Sequence, residues 1–117
     1  MPKDDWVYVG HMLDMARKAR QALRGKSRAG YDADEILRLG LAHLVQVIGE
    51  AARHVSPEFR AAHSESPWPG IVGMRNKVVH DYLNVDDDIL WQTVTGDLPP
   101  LIELLEGLQP PEGATSE

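Results

Sequence analysis

Asp32-Ala33-Asp34-Glu35-Ile36-Leu37-Arg38-Leu39-Gly40-Leu41-Ala42-His43-Leu44-Val45-Gln46-Val47-Ile48-Gly49-Glu50-Ala51-Ala52-Arg53-His54-Val55 is the stretch whose reading decides the fold. Ile36, Leu37, Leu41, Leu44, Val45, Ile48, Ala52 and Val55 recur at helical steps, without the two-residue alternation of a half-buried strand. Asp32 followed by Glu35 resembles a capping box and opens the run. The pattern predicts a long helix that forms the main core element. Leu39 and Val47 fall outside its principal face, and a small monomeric bundle has trouble covering that second apolar side. A homodimer is the simplest way to cover it.

Upstream, Asp4 or Asp5 can cap a first helix whose Trp6, Val9, Met12, Leu13, Ala16, Ala19 and Leu23 repeat at three to four residues. Gly25 and the stretch 26–30 end it. Downstream, Ser56-Pro57 predicts a capped short helix to about His63, followed by a loop from Ser64 to Trp68. Pro69 then starts a helix through Ile71, Met74, Val78 and Val79 towards Tyr82 and Leu83. Asn84-Val85-Asp86 reads as a stop and a new cap, and Asp87 and Asp88 suit the positive end of the next helix dipole. Leu90, Trp91 and Val94 give that helix its apolar face. Gly96 and Pro99-Pro100 predict a kink or break before Leu101, Ile102, Leu104, Leu105 and Leu108. No segment reads as a strand, and there is no internal repeat. The expectation is an all-α, antiparallel up-and-down four-helix-type bundle. It forms one domain over residues 1–108, with 109–117 a flexible tail.

At 117 residues and 43% apolar content the chain suits a single modest core. It has no cysteine, which excludes disulfides, a thiol nucleophile and cysteine-ligated zinc, and fits a cytoplasmic address. The charged start, Met1 to Trp6, lacks the apolar run of a signal peptide, and no stretch has the length of a membrane span. The five histidines form no metal-ligand pattern, and the glycines form no phosphate-cradling loop after a strand. No metal or cofactor is expected. The net charge of -6 argues against a nonspecific nucleic-acid binder, yet it is unevenly spread. Residues 1–28 carry +4 and residues 29–117 carry -10. Arg17, Lys18, Arg20, Arg24, Lys26 and Arg28 suit a phosphate backbone, and they equally suit a solvated face near a helix C-terminus.

Arg75-Asn76-Lys77-Val78-Val79-His80-Asp81-Tyr82 combines a fixed cation, a proton carrier that titrates near neutrality and a phenol. On one continuous helix, Arg75 and Tyr82 would be nearly eclipsed, while Asn76 and His80 would share the adjacent stripe. If the same element of a second subunit faced it across a twofold axis, one cleft would hold two arginines and two histidines. One histidine would then serve as base and the other as acid, with arginine holding the charge of a phosphorane. Residue types alone leave Arg75 equally suited to pairing with Asp81 or Glu50, and Tyr82 to an ordinary core or interface position. Glu50 shares a polar stripe with His43 and His54, which suits a solvated or interface stripe or the orientation of the Arg75 helix.

Trp68-Pro69-Gly70-Ile71-Val72-Gly73-Met74-Arg75-Asn76, His80-Asp81-Tyr82, Val85-Asp86 and Gly49-Glu50-Ala51-Ala52 together resemble the HEPN superfamily. The resemblance is to the HepT-like toxins of prokaryotic toxin-antitoxin pairs, and it covers about Asp4 to Leu108. It implies a HEPN-like homodimer acting as a metal-independent endoribonuclease, with Arg75 and His80 as the catalytic pair and Asn76 as the supporting polar residue that follows the arginine; Glu50 is the supporting candidate from its stripe on the long helix. Arg17, Arg20, Arg24 and Lys77 are candidate RNA contacts. It also implies a partner, an MntA-like minimal nucleotidyltransferase, which silences the toxin by transferring AMP to Tyr82. A bulky anion there would compete with substrate phosphate for Arg75. The alternative is a non-catalytic partner of a nucleotidyltransferase, with Arg75 and His80 structural or serving the transfer.

Overall fold

The computed structural model describes residues 4–81 and 84–108, with the side chains of His80, Asp81 and Asn84 outside that description. The protein is built on two long helices, α1 (Asp5–Ala22) and α3 (Glu35–Arg53). Asp4 caps α1, its carboxylate accepting from the Trp6 N–H at 2.9 Å. The neighbouring Asp5 instead accepts from the Ser56 N–H at 2.8 Å and the Ser56 hydroxyl at 2.7 Å. Ser56 follows the end of α3, so α1 and α3 run antiparallel. Val9, Met12, Ala16 and Ala19 of α1 are buried, as are Leu41, Val45, Ile48 and Ala52 of α3. The three-to-four spacing of both runs turns them toward a common core.

Between these helices the sequence reading needs correction. Gly25 adopts φ 76°, a left-handed turn that glycine makes at little cost. The chain then forms α2 (Arg28–Asp32), capped by Ser27, where a connection was expected. The cap of α3 is Asp34, which accepts from the Leu37 N–H at 3.0 Å, and not Asp32. Asp32 pairs instead with Arg28 at 2.9 Å. Ile36, expected in the core, is 77% exposed, and Leu39 is 53% exposed. Ile36 lies in the first turn of α3, on a side that the described residues leave largely open to solvent.

The short helix at Ser56-Pro57 is present as α4 (Pro57–Ala62), with Ser56 accepting from the Phe59 N–H at 3.1 Å. The helix expected from Pro69 to Leu83 is two short helices, α5 (Trp68–Val72) and α6 (Met74–Val78). After Val78 the chain becomes extended. β1 (Val79–Asp81) pairs antiparallel with β2 (Asn84–Val85), and the Asp86 N–H donates to the Val78 carbonyl at 2.7 Å. Adjacent β-branched Val78 and Val79 favour this switch, and the hairpin supplies hydrogen bonds that a further helical turn would otherwise make. A strandless chain was the expectation, and this two-stranded hairpin is its exception. The single continuous helix on which Arg75 and Tyr82 would be eclipsed is absent, because α6 ends at Val78, and Tyr82 itself lies outside the described residues.

Asp86 caps α7 (Asp87–Gln92), accepting from the Ile89 N–H at 3.0 Å. The irregularity expected at the prolines is a π-helical segment, Thr93–Asp97, that leads directly into α8 (Leu98–Gly107). The Leu98 N–H reaches back five residues to the Thr93 carbonyl, and the Thr95 hydroxyl donates to the Trp91 carbonyl at 2.7 Å. Pro99 and Pro100 lack N–H groups and are tolerated in the first turn of α8, where the widened register replaces a break. Leu98, Leu101 and Leu105 complete the core. The whole is an all-α bundle with one small hairpin. Among the described residues, no helix is long and apolar enough to cross a membrane.

Tyr31, absent from the expected core, is fully buried and ties α2 to α7 by donating its hydroxyl to the Asp87 carbonyl at 2.7 Å. Its ring packs on Trp91, with centroids 5.0 Å apart. Arg28 lies over both rings and pairs with Asp88 and Asp32, which hold its guanidinium above its ordinary value. Burial pushes the Tyr31 phenol up to about 12, from an ordinary value of 10.0. The protonated phenol therefore contributes stability that is present below pH 10 and lost as pH rises through about 12. Tyr31→Phe is expected to cost about 1 kcal/mol near neutrality and to remove this part of the alkaline decline. Urea unfolding midpoints of both proteins between neutral pH and the alkaline range check both effects.

Candidate active site

Arg75 owes its place to a missing side chain on α3. A Cβ on Gly49 would lie 3.2 Å from the Val72 carbonyl oxygen, 3.4 Å from that of Ile71 and 3.8 Å from Arg75 Cβ. Glycine at this point lets the α5–α6 segment approach the α3 backbone closely. Trp68 fixes the start of α5 from the other side. It is buried, and its indole Nε1 donates to the His63 carbonyl at 3.0 Å. Phe59 packs edge-on against Trp6, with centroids 4.9 Å apart, linking α4 to the start of α1.

The result is a polar recess of about 240 Å³. Gln46, Gly49, Glu50 and Arg53 form its α3 wall, and Val72, Arg75 and Asn76 form the other. Arg75 is half-buried, and its Nη1 donates to Asn76 Oδ1 at 3.4 Å. Glu50 is engaged by Arg53 at 3.2 Å and His54 at 3.5 Å. His54 in turn stacks on Tyr8, with ring centroids 5.3 Å apart and planes 19° apart. Two guanidiniums around one carboxylate leave a net positive recess with amide groups on both walls. Such a lining suits a phosphate group.

The structure thus brings three predicted residues, Arg75, Asn76 and Glu50, to one recess. The His80 backbone lies in β1, five residues beyond Arg75. Its side chain lies outside the described residues, as does the whole of Tyr82. Lys77 lines a separate, mainly apolar groove with Met74, Asp97 and Pro100. His43 lies two turns before Glu50, among Ile36, Gly40 and Leu44.

The basic cluster is largely engaged within the fold. Arg17 pairs with Glu106 at 2.6 Å, Lys18 with Asp14 at 3.5 Å, and Arg20 donates to the Val94 carbonyl at 3.3 Å. Arg24 is exposed. Arg17, Lys18 and Arg20 occupy the C-terminal half of α1 and Arg24 follows its end, at the opposite end of the antiparallel α1–α3 pair from the recess. Arg53 and Gln46 were missed in the sequence. Their spacing from Glu50, three residues after and four before, was the available signal, because it places all three along one side of α3. Among the described residues, no group of three His, Cys, Asp or Glu side chains could hold a metal ion.

The recess and both segments that build it fall within a match to the HepT-like ribonuclease family model, which spans residues 12–108. The chain belongs to that family. A relative from Caldanaerobacter subterraneus subsp. tengcongensis, "Putative RNase TTE0752", is 33% identical over 94 residues, covering 80% of this chain and 84% of its own. "Probable ribonuclease HepT" of Thermococcus cleftensis is 34% identical over 76 residues, covering 65% of this chain and 69% of its own. A longer Methanocaldococcus jannaschii protein, "Gamma-glutamylcyclotransferase and putative RNase MJ0434", is 27% identical over 103 residues, which are 88% of this chain and 46% of that protein. No solved structure matches. In this HepT-like chain the Arg75 segment lies within the matched residues.

Two glycines of α3 give opposite predictions. Gly49→Val places methyl groups against two carbonyl oxygens and is expected to cost about 2 kcal/mol or more. Gly40 has nothing within 4 Å of an added Cβ, so Gly40→Ala is expected to stabilise by about 0.5–1 kcal/mol through helix propensity. Urea denaturation midpoints distinguish them. Similar shifts for the two variants would remove the close approach at Gly49 as the determinant of the site.

Proposed function

We propose that this HepT-like protein is the toxin of a prokaryotic toxin-antitoxin pair, a metal-independent endoribonuclease acting in the cytoplasm. The observation that carries the reading is Arg75, half-buried in a polar recess between α3 and α6, within the segment matched to a ribonuclease family. In this reading Arg75 holds the non-bridging oxygens of an RNA phosphate in two-point geometry, and Asn76 supports it. A ribose 2'-hydroxyl attacks the adjacent phosphorus and loses its proton to a histidine, while the 5'-oxygen leaves with a proton from a second donor. His80 supplies these proton-transfer roles.

One chain has one His80, and a twofold dimer would supply the second. The exposed stripe of Ile36, Leu39, Gly40 and His43 leads along α3 toward half-buried Val47 and then Glu50. A second copy packed on that stripe would remove Ile36 and Leu39 from water and bring two recesses toward a common axis. Both arginines and both histidines would then line a shared cleft.

A cognate MntA-like nucleotidyltransferase would silence the enzyme. The Tyr82 phenol attacks the α-phosphorus of ATP, a phosphodiester forms, pyrophosphate leaves and the phenolic proton passes to solvent. The added anion stands seven residues from Arg75 in sequence and would compete for it.

Arg75→Ala and His80→Ala are each expected to reduce RNA cleavage in the presence of EDTA at least about 100-fold. Equal activity in wild type and both variants would sink the assignment. Incubation with the cognate transferase and ATP is expected to add the mass of AMP, and Tyr82→Phe to abolish that addition. Unchanged modification of Tyr82→Phe would move the site elsewhere.

A further inference from the structure

The recess contains a second guanidinium, that of Arg53, for which the proposed cleavage chemistry has no use. Arg53 closes the last turn of α3, where Arg60 fixes the backbone by donating to the Ala52 and Arg53 carbonyls at 2.8 and 3.2 Å. Its side chain behaves differently. It is 64% exposed and, among the described residues, its side chain is held to Glu50, itself 55% exposed, at 3.2 Å. An exposed pair of this kind contributes little to stability, so exchanging the carboxylate for a phosphate is inexpensive. Glu50 would keep His54 as a neighbour, at 3.5 Å, after such an exchange.

Resting on the ribonuclease reading, we propose that Arg53 is a second RNA ligand, which takes the phosphate next to the one held by Arg75 while Glu50 retains its side chain when RNA is absent. The anchored backbone positions the guanidinium at the recess, and the exposed side chain remains able to turn from Glu50 to substrate. Arginine suits the role because its planar fork meets two phosphate oxygens at once, which lysine cannot reproduce. Gln46, one helical turn before Glu50 on the same wall, offers an amide beside the same phosphate.

The test is fluorescence anisotropy with a single-stranded 2'-O-methyl RNA of mixed sequence, which cannot undergo 2'-hydroxyl attack, across a salt series. Arg53→Ala is expected to weaken binding about tenfold and to reduce the salt slope by about 0.7. Arg53→Lys should restore the slope but not the full affinity. Glu50→Gln should tighten binding by releasing Arg53. A structural role for Arg53 would not change the salt slope. If wild type binds this RNA and cleaves its unmodified counterpart, but Arg53→Ala shows the same affinity and slope as wild type, this inference falls and the ribonuclease reading stands. If wild type neither binds nor cleaves RNA, both fall.

Discussion

The site depends on the absence of a Cβ at Gly49. Because α3 carries only a hydrogen there, the carbonyls of Ile71 and Val72 lie closer to its backbone than a side chain would comfortably permit. That contact sets where α5 ends, where α6 begins and where Arg75 leaves the chain. The remaining contacts hold this approach in place. Trp68 anchors α5 through the His63 carbonyl, Asp5 joins the start of α1 to Ser56 beyond the end of α3, and Tyr31 ties α2 to α7. The recess is thus a gap between closely packed backbones, and its polar lining comes from residues on the rims of that contact.

The helix-to-strand switch after Val78 changes the chemical geometry. A continuous helix would have carried Arg75, His80 and Tyr82 on fixed rows of one cylinder. Instead α6 ends three residues after Arg75, and the chain turns extended through His80. The arginine is positioned by packing on α3, whereas His80 belongs to a hairpin tied back through the Asp86 N–H and the Val78 carbonyl. The two groups therefore stand on different elements. Their relation depends on the junction between α6 and β1.

What the sequence disclosed follows from the range of the interactions involved. The buried faces of α1 and α3 were legible because Met12, Ala16, Val45 and Ile48 fall at regular helical steps, and the caps at Asp4, Ser56 and Asp86 because they act within three residues. Asp34 displaced Asp32 as the α3 cap because Arg28 and the short helix α2 engaged Asp32 first. Tyr31 was not legible as core, since its burial comes from Trp91 and the Asp87 carbonyl, contacts made across the fold. The end of α6 was concealed because Val78 and Val79 fit either a helix face or a strand, and distant Val85 and Asp86 decide between them. Much of the basic run at 17–28 forms internal pairs, with Glu106, Asp14 and Asp88 among the partners, which charge counting alone cannot reveal.

The chemical nature of the cleavage ends tests the central claim most directly. RNA digested by the wild-type protein in EDTA should yield fragments with a 2',3'-cyclic phosphate on one side of the cut and a 5'-hydroxyl on the other, as read by mass spectrometry. Those ends follow only from attack by the neighbouring 2'-oxygen. Fragments with a 3'-hydroxyl and a 5'-phosphate would contradict the account, because they would place the attacking oxygen on water.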